Sequence, residues 1–270
     1  MTIMIRDPAV AGQFYAASPA ALRRTVDSFL EKCEDRIDAR SVVCPHAGYV
    51  YSGAVAGAVF SVVRLPTRLI ILGPNHTGRG AALALHPAGE WLTPLGKVAV
   101  DAEMNQHLLD ECPGLREDPA AHLREHSIEV QIPFLQALGH EFQFSAICVR
   151  TTDFGALDAL GHAMARSIQA LGQPVLIVAS SDMTHYESVE AAREKDRLAI
   201  NQVLAVDPRG LYRVVIERDI SMCGFAPTVA ALTASRDLGA TSGRLVRYAN
   251  SGDISGDYHS VVGYAGIVIA

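Results

Sequence analysis

Six short runs of apolar, mostly β-branched residues, separated by helix-like stretches, constrain this chain's fold more than any other feature. They are Ser41–Cys44, Leu69–Leu72, Phe142–Val149, Pro174–Ala179, Arg244–Tyr248 and Val261–Ile269. Most are apolar almost throughout, the mark of strands covered on both faces. Helical patterns fill the intervals at Pro19–Lys32, Gly53–Val63, Asp101–Glu111, Ser127–Leu138, Asp153–Leu171, Val189–Val206, Pro208–Arg218 and Pro227–Asp237. Ser18 and Ser127 stand where N-caps belong. Such alternation predicts an α/β fold: a central, mostly parallel or mixed sheet layered by helices, with residues 1–270 forming a single domain.

Ligands of such sheets collect where strand-end loops converge, and three of these loops carry histidine. SVVC runs into Pro45-His46-Ala47-Gly48-Tyr49, LIIL into Gly73-Pro74-Asn75-His76-Thr77-Gly78, and VLIVA into Ser180-Ser181-Asp182-Met183-Thr184-His185. One strand-end histidine is most simply a hydrogen-bonded structural residue. Three in equivalent positions point to a shared site. In Ser221-Met222-Cys223-Gly224-Phe225-Ala226-Pro227, Pro227 suits a first helical turn. Cys223 would then sit ahead of a helix N-terminus, which lowers a thiol pKa; the competing role is a small apolar filler. In Glu125-His126-Ser127-Ile128-Glu129, two readings stand side by side. One is helix-start chemistry; the other has His126 and Glu129 orienting a metal-binding histidine. His86, His107, His122, His140, His162 and His259 have no comparable setting and are assigned to surface or core.

Composition excludes several partners. A formal net charge of -6 with scattered Lys and Arg gives no footprint for nucleic acid. Arg6 and Asp7 interrupt any secretory leader, and no apolar run approaches the roughly 18 residues of a membrane span. The five cysteines, odd in number and widely spaced, form neither a disulfide framework nor a zinc knuckle. They read as reduced thiols of a cytoplasmic protein.

Taken in order, PHAGYVYSG, ILGPNHTG, EHSIEVQIPFLQ, SSDMTH and SMCGFAP resemble the MEMO family, as do RDPAVAGQFY near the start and Ser251-Gly252-Asp253 and Val262-Gly263-Tyr264-Ala265 near the end. The resemblance covers essentially the whole chain. It implies a fold like that of the class III extradiol dioxygenases, which are non-haem iron enzymes. It implies metal-pocket residues His46, His76 and Cys223 with Asp182 and His185 beside them, and Phe14 at the pocket mouth. Prokaryotic members are known as protein B of the AmmeMemoRadiSam system, so AMMECR1-like and radical SAM proteins are the implied partners. One departure from the dioxygenases is chemical: a cysteine stands where their third ligand is a carboxylate, which weakens a transfer of ring cleavage.

Two imidazoles and a thiolate suit iron (Fe2+) foremost, with copper or zinc as alternatives, and leave a coordination position open. His185 is the natural acid/base, with Asp182 placed to fix its tautomer. The leading expectation is therefore a metal-binding protein with redox or oxygenase-like chemistry. The others are a metal-handling module without turnover, a Cys223 nucleophile served by His185 and Asp182, and a peptide-binding pocket.

Overall fold

The computed structural model describes residues 4–139 and 141–270; His140 lies outside them. Twelve strands form one sheet among the described residues. They are β1 (Ile5–Arg6), β2 (Ser41–Cys44), β3 (Arg68–Pro74), β4 (Leu83–Leu85), β5 (Glu90–Thr93), β6 (Gly96–Val100), β7 (Arg116–Glu117), β8 (Gln143–Val149), β9 (Val175–Ser180), β10 (His185–Glu187), β11 (Gly243–Asn250) and β12 (Val261–Ile269). The helices are α1 (Pro19–Phe29), α2 (Tyr49–Val62), α3 (Ala102–Glu111), α4 (Ile132–Ala137), α5 (Phe154–Leu171), α6 (Val189–Leu204), α7 (Pro208–Glu217), α8 (Phe225–Asp237) and α9 (Gly252–Ser255).

The sheet order is β1-β5-β6-β8-β3-β9-β2-β12-β10, with β11 also on β12 and β4 bridging β7 and β8. Its centre, β8-β3-β9-β2, is parallel, while β12 and the β5–β6 hairpin run antiparallel at the flanks. The sheet is thus mixed, and its two faces follow from the period-2 alternation of side chains. Val43, Ile70, Leu72, Ile147 and Ile177 point to one core, shared with α3, α5, α6, α7 and α8. Val42, Leu69, Ile71, Phe144 and Val178 point to the other, under α1, α2 and α4. Burial on both sides explains why these strands lack polar alternation.

Several boundaries differ from the sequence expectation, among them the start of α2 at Tyr49 rather than Gly53 and the end of α1 at Phe29 rather than Lys32. The segment expected as helix Ser127–Leu138 opens with a 3-10 turn at Glu129–Gln131, and only Ile132–Ala137 is α-helical. Ser127 does not cap it; its hydroxyl donates to the Pro74 carbonyl at 3.1 Å. Helix α8 begins at Phe225, so Pro227 is its third residue rather than its first. No helix among the described residues is long and apolar enough to cross a membrane.

Candidate metal centre

Strand order builds the site. β9 lies between β3 and β2, and the register pairs Cys44 with Ser180 and Leu72 with Ala179. The loops leaving the three strands are consequently neighbours, although the one after β9 is more than a hundred positions from the other two. The segment before α8 closes the ring. Gly224 presses against the end of β9, its N–H donating to Ser181 Oγ at 3.0 Å. A Cβ there would meet the Ser180 carbonyl at 2.2 Å, so only glycine permits this approach.

This packing brings His46, His76 and Cys223 together with donor atoms within 4.8 Å of one another. His46 is buried, Cys223 half-buried and His76 solvent-exposed. His46 Nε2 lies 3.2 Å from Cys223 Sγ. Bonds of about 2.0–2.3 Å to one ion place donor atoms roughly 3–4 Å apart, so a metal fits this donor set with only a small inward movement of one side chain.

Hydrogen bonds fix the tautomers. Ser180 Oγ donates to the Ser127 carbonyl at 2.6 Å and accepts from Gln131 Nε2 at 2.8 Å. Its remaining lone pair faces His46 Nδ1 at 2.9 Å, so that nitrogen carries the proton and Nε2 is free. His76 Nδ1 donates to Glu125 Oε1 at 2.8 Å. His185 Nδ1 donates to the Ser221 carbonyl at 2.9 Å. All three rings are held through Nδ1, which leaves Nε2 as the atom available to a metal, the arrangement in which a partner beyond the metal orients a histidine ligand.

Electrostatics follow burial. Desolvation, aided by His126, His76 and His185, pushes His46 well below the usual imidazole range, so it is neutral. Burial pulls the Glu125 carboxyl upward, but His76 and the Ser127 N–H outweigh it and hold the group down at about 2. Burial raises Asp182 to about 6 against the opposing N–H groups of His46 and Ala47. The Cys223 thiol is pushed up by burial and then by the Asp182 charge. The thiol is thus pushed up rather than lowered as its place before a helix N-terminus leads one to expect: desolvation exceeds the helix field.

The remaining site residues from the sequence fall as follows. Asp182 does not contact the His185 ring through a hydrogen bond; its Oδ1 accepts the His46 backbone N–H at 2.7 Å and so shapes the Pro45–Ala47 turn. His126 stacks on His76 with ring centroids 4.7 Å apart, and Phe14 packs on His126 at 4.5 Å. Phe14 also edges a surface cavity of about 530 Å³ with Gln13, Gly48 and Tyr51. Glu129 orients no histidine. It pairs with Arg6 at 2.7 Å and accepts from Tyr15 Oη and the Ala9 and Val10 N–H groups, anchoring the segment that carries Phe14.

The orienting carboxylate is Glu125, which nothing in the sequence sets apart from its neighbours. Its oxygens accept from His76 Nδ1 and from the N–H groups of His76, His126 and Ser127. Although His76, Glu125 and His126 also lie within ligand distance of one another, those four bonds occupy the carboxylate as a positioning group. Glu125→Gln is expected to weaken metal affinity about 10–100-fold while leaving the fold intact, checked by metal titration beside circular dichroism.

One backbone feature near the site is costly. Tyr186 has φ 60, and the β10–β12 register shifts between His185 and Glu187, its neighbours on either side. A bulky residue in this region costs about 1–3 kcal/mol. Among the described residues, Val206 and Asp219 share the conformation, and each follows a helix C-cap, the position at which helices commonly end in it.

Fold and pocket define an α/β protein with the donor set of a metal centre at the carboxyl ends of parallel strands. A family model described as "Memo-like protein" matches residues 6–268. A MEMO1 family protein of Methanopyrus kandleri is 42% identical, covering 98% of this chain and 99% of that one. One of Aquifex aeolicus is 37% identical, covering 98% of each. The chain belongs to the Memo-like family. Among solved structures, an uncharacterized protein from Escherichia coli K12 shares the fold, with TM-score 0.55, 11% identity and coverage of 84% of this chain and 98% of that one.

Proposed function

We propose that this protein binds one metal ion, ferrous iron foremost and copper or zinc as alternatives, through His46, His76 and Cys223, and offers it to a small-molecule ligand. The observation that carries this reading is the trio itself: two imidazoles with Nε2 free and a thiol, all within 4.8 Å. Such a borderline-to-soft set suits these metals, and three protein donors leave a position for an exogenous ligand. The exposed edge of His76 gives that ligand a way in. When bound, the metal would supply Lewis-acid or redox chemistry.

The surrounding residues have separate tasks. Ser180, itself held by Gln131, keeps the His46 proton on Nδ1, Glu125 orients His76 through its Nδ1–H, and Asp182 holds the Pro45–Ala47 turn. His185, half-buried with Nε2 free, is placed to take or give a proton at the ligand. The reaction class is oxygenase-like, by similarity to the class III extradiol dioxygenases, and AMMECR1-like and radical SAM proteins are the partners within this reading. A nucleophile triad of Cys223, His185 and Asp182 is disfavoured, because the thiol faces His46 and is pushed upward by burial.

The test is metal analysis of anaerobically purified protein, expected to give about one iron or copper per chain. A metal-free preparation that also fails to bind added Fe(II), Cu(I) or Zn(II) would overturn the reading. Metal-dependent oxygen consumption with a catechol-type substrate distinguishes an enzyme from a metal-handling module. The exposure of His76 favours the latter to the extent that an open ligand eases metal exchange.

A further inference from the structure

Among the described residues β11 pairs with β12 alone, so its other edge is open. No hydrogen bond outside that pairing engages the backbone of Arg244–Ala249 among them. The register shifts between Leu245 and Arg247, and a bulge of this kind re-aims side chains. Val246 packs into the core beneath α2, and Arg247 beside it donates to the Ala54 carbonyl of that helix at 3.1 Å. Leu245 and Tyr248 turn instead toward α6. In a regular strand, two positions three apart would face opposite ways.

These two residues form one wall of a surface groove of about 300 Å³, and Arg193, Arg197, Ile200 and Leu204 of α6 form the other. The volume is small for a ligand cavity, enough for one or two side chains. The groove shares no residue with the metal pocket. Its apolar lip is left to solvent, with Leu245 38% exposed. Tyr248 is fixed in place, its Oη donating to the Asp196 carboxylate at 2.7 Å. Arg193 and Arg197 stand four apart on one face of α6, where like charges repel. Neither joins an ion pair among the described residues. Two guanidinium groups without a counter-ion, at the rim of an apolar groove, are complementary to carboxylates. A second copy of the chain fits poorly. An antiparallel pairing of two β11 strands centred on Leu245–Val246 sets Arg244 opposite Arg247, and like charges so placed are destabilising.

We propose that the open edge of β11 and the α6 groove together dock an extended, acidic segment of a partner protein, which joins the sheet as a further strand. Its main chain pairs with β11, an apolar side chain enters between Ile200, Leu204 and Leu245, and its carboxylates meet Arg193 and Arg197. In strand addition, main-chain hydrogen bonds supply affinity and alternate side chains supply specificity. The inference does not depend on the metal centre.

A displayed library of random heptapeptides, panned on the purified protein, tests it. Enriched peptides are expected to alternate Asp or Glu with apolar residues. Synthesised with a fluorescent label, they should bind more weakly as salt rises. Their affinity for the Arg193→Gln, Arg197→Gln double variant should fall at least about fivefold. Both arginines are exposed, so this variant should melt with wild type. Bound peptide should also slow amide hydrogen exchange within Arg244–Ala249. A library that enriches no peptide, or peptides whose affinity survives the double substitution, overturns the proposal. Binding that needs the arginines but leaves those amides unprotected overturns it too, and marks the groove as a site for a small amphipathic acid.

Discussion

Cys223→Ser and His46→Ala, purified anaerobically beside wild type, are each expected to carry less than about a tenth of its metal. Serine replaces a thiolate donor with a hydroxyl that stays protonated near neutrality, and the alanine variant deletes the best-oriented imidazole. Neither change should unfold the protein. Cys223 is half-buried and its sulfur contacts His46 Nε2 and the Asp182 backbone rather than the hydrophobic core. The melting midpoint of metal-free Cys223→Ser should therefore stay within a few degrees of metal-free wild type, since the exchange removes no packed side chain. Full metal retention in both variants would sink this ligand set.

The second large effect is on stability. Arg6 and Glu129 form an ion pair with side chains 2% and 0% exposed. Arg6 also donates to the His122 and Glu125 carbonyls and lies 4.0 Å over the ring of Trp91. Glu129→Ala leaves that guanidinium charged, buried and without its counter-ion, and it strips the acceptor from Tyr15, Ala9 and Val10. Breaking one half of a buried pair costs about 3–5 kcal/mol. Urea unfolding should report a loss of that size. Trp91 is the sole tryptophan, so its emission follows the displacement of Arg6 directly. A loss below about 1 kcal/mol would show that the pair is dispensable. Because Glu125 lends its carbonyl to Arg6 and its carboxylate to His76, the same variant is expected to disturb the metal pocket as well.

How far the molecule could be read from sequence depended on where each segment is buried. Runs such as Leu69–Leu72 and Val261–Ile269 lie between two helical layers and declare themselves by unbroken apolarity. β1, β4, β5, β6, β7 and β10 escaped notice because each is two to five residues long. Several are partly exposed, and their pairing is decided by partners distant in sequence. His46, His76 and His185 were legible because a histidine directly after a buried strand is conspicuous. Glu125 was not, since its role depends on a loop 49 positions earlier returning to it. The Cys223 thiol departs from what its place before a helix suggests because tertiary packing imposes a desolvation that exceeds the local helix field. Tyr186 carried no sequence signal, as an aromatic residue ordinarily marks a regular strand.

The parallel register of β2, β9 and β3 has a consequence for how the protein ages and turns over. His46 and Cys223 are 177 positions apart, so an ion held between them acts as a removable cross-link joining distant parts of the chain. Occupancy then adds to folding stability by mass action. A cell short of metal would hold a population of this protein that opens more readily at the strand ends. Its lifetime against proteases would accordingly serve as a gauge of metal supply.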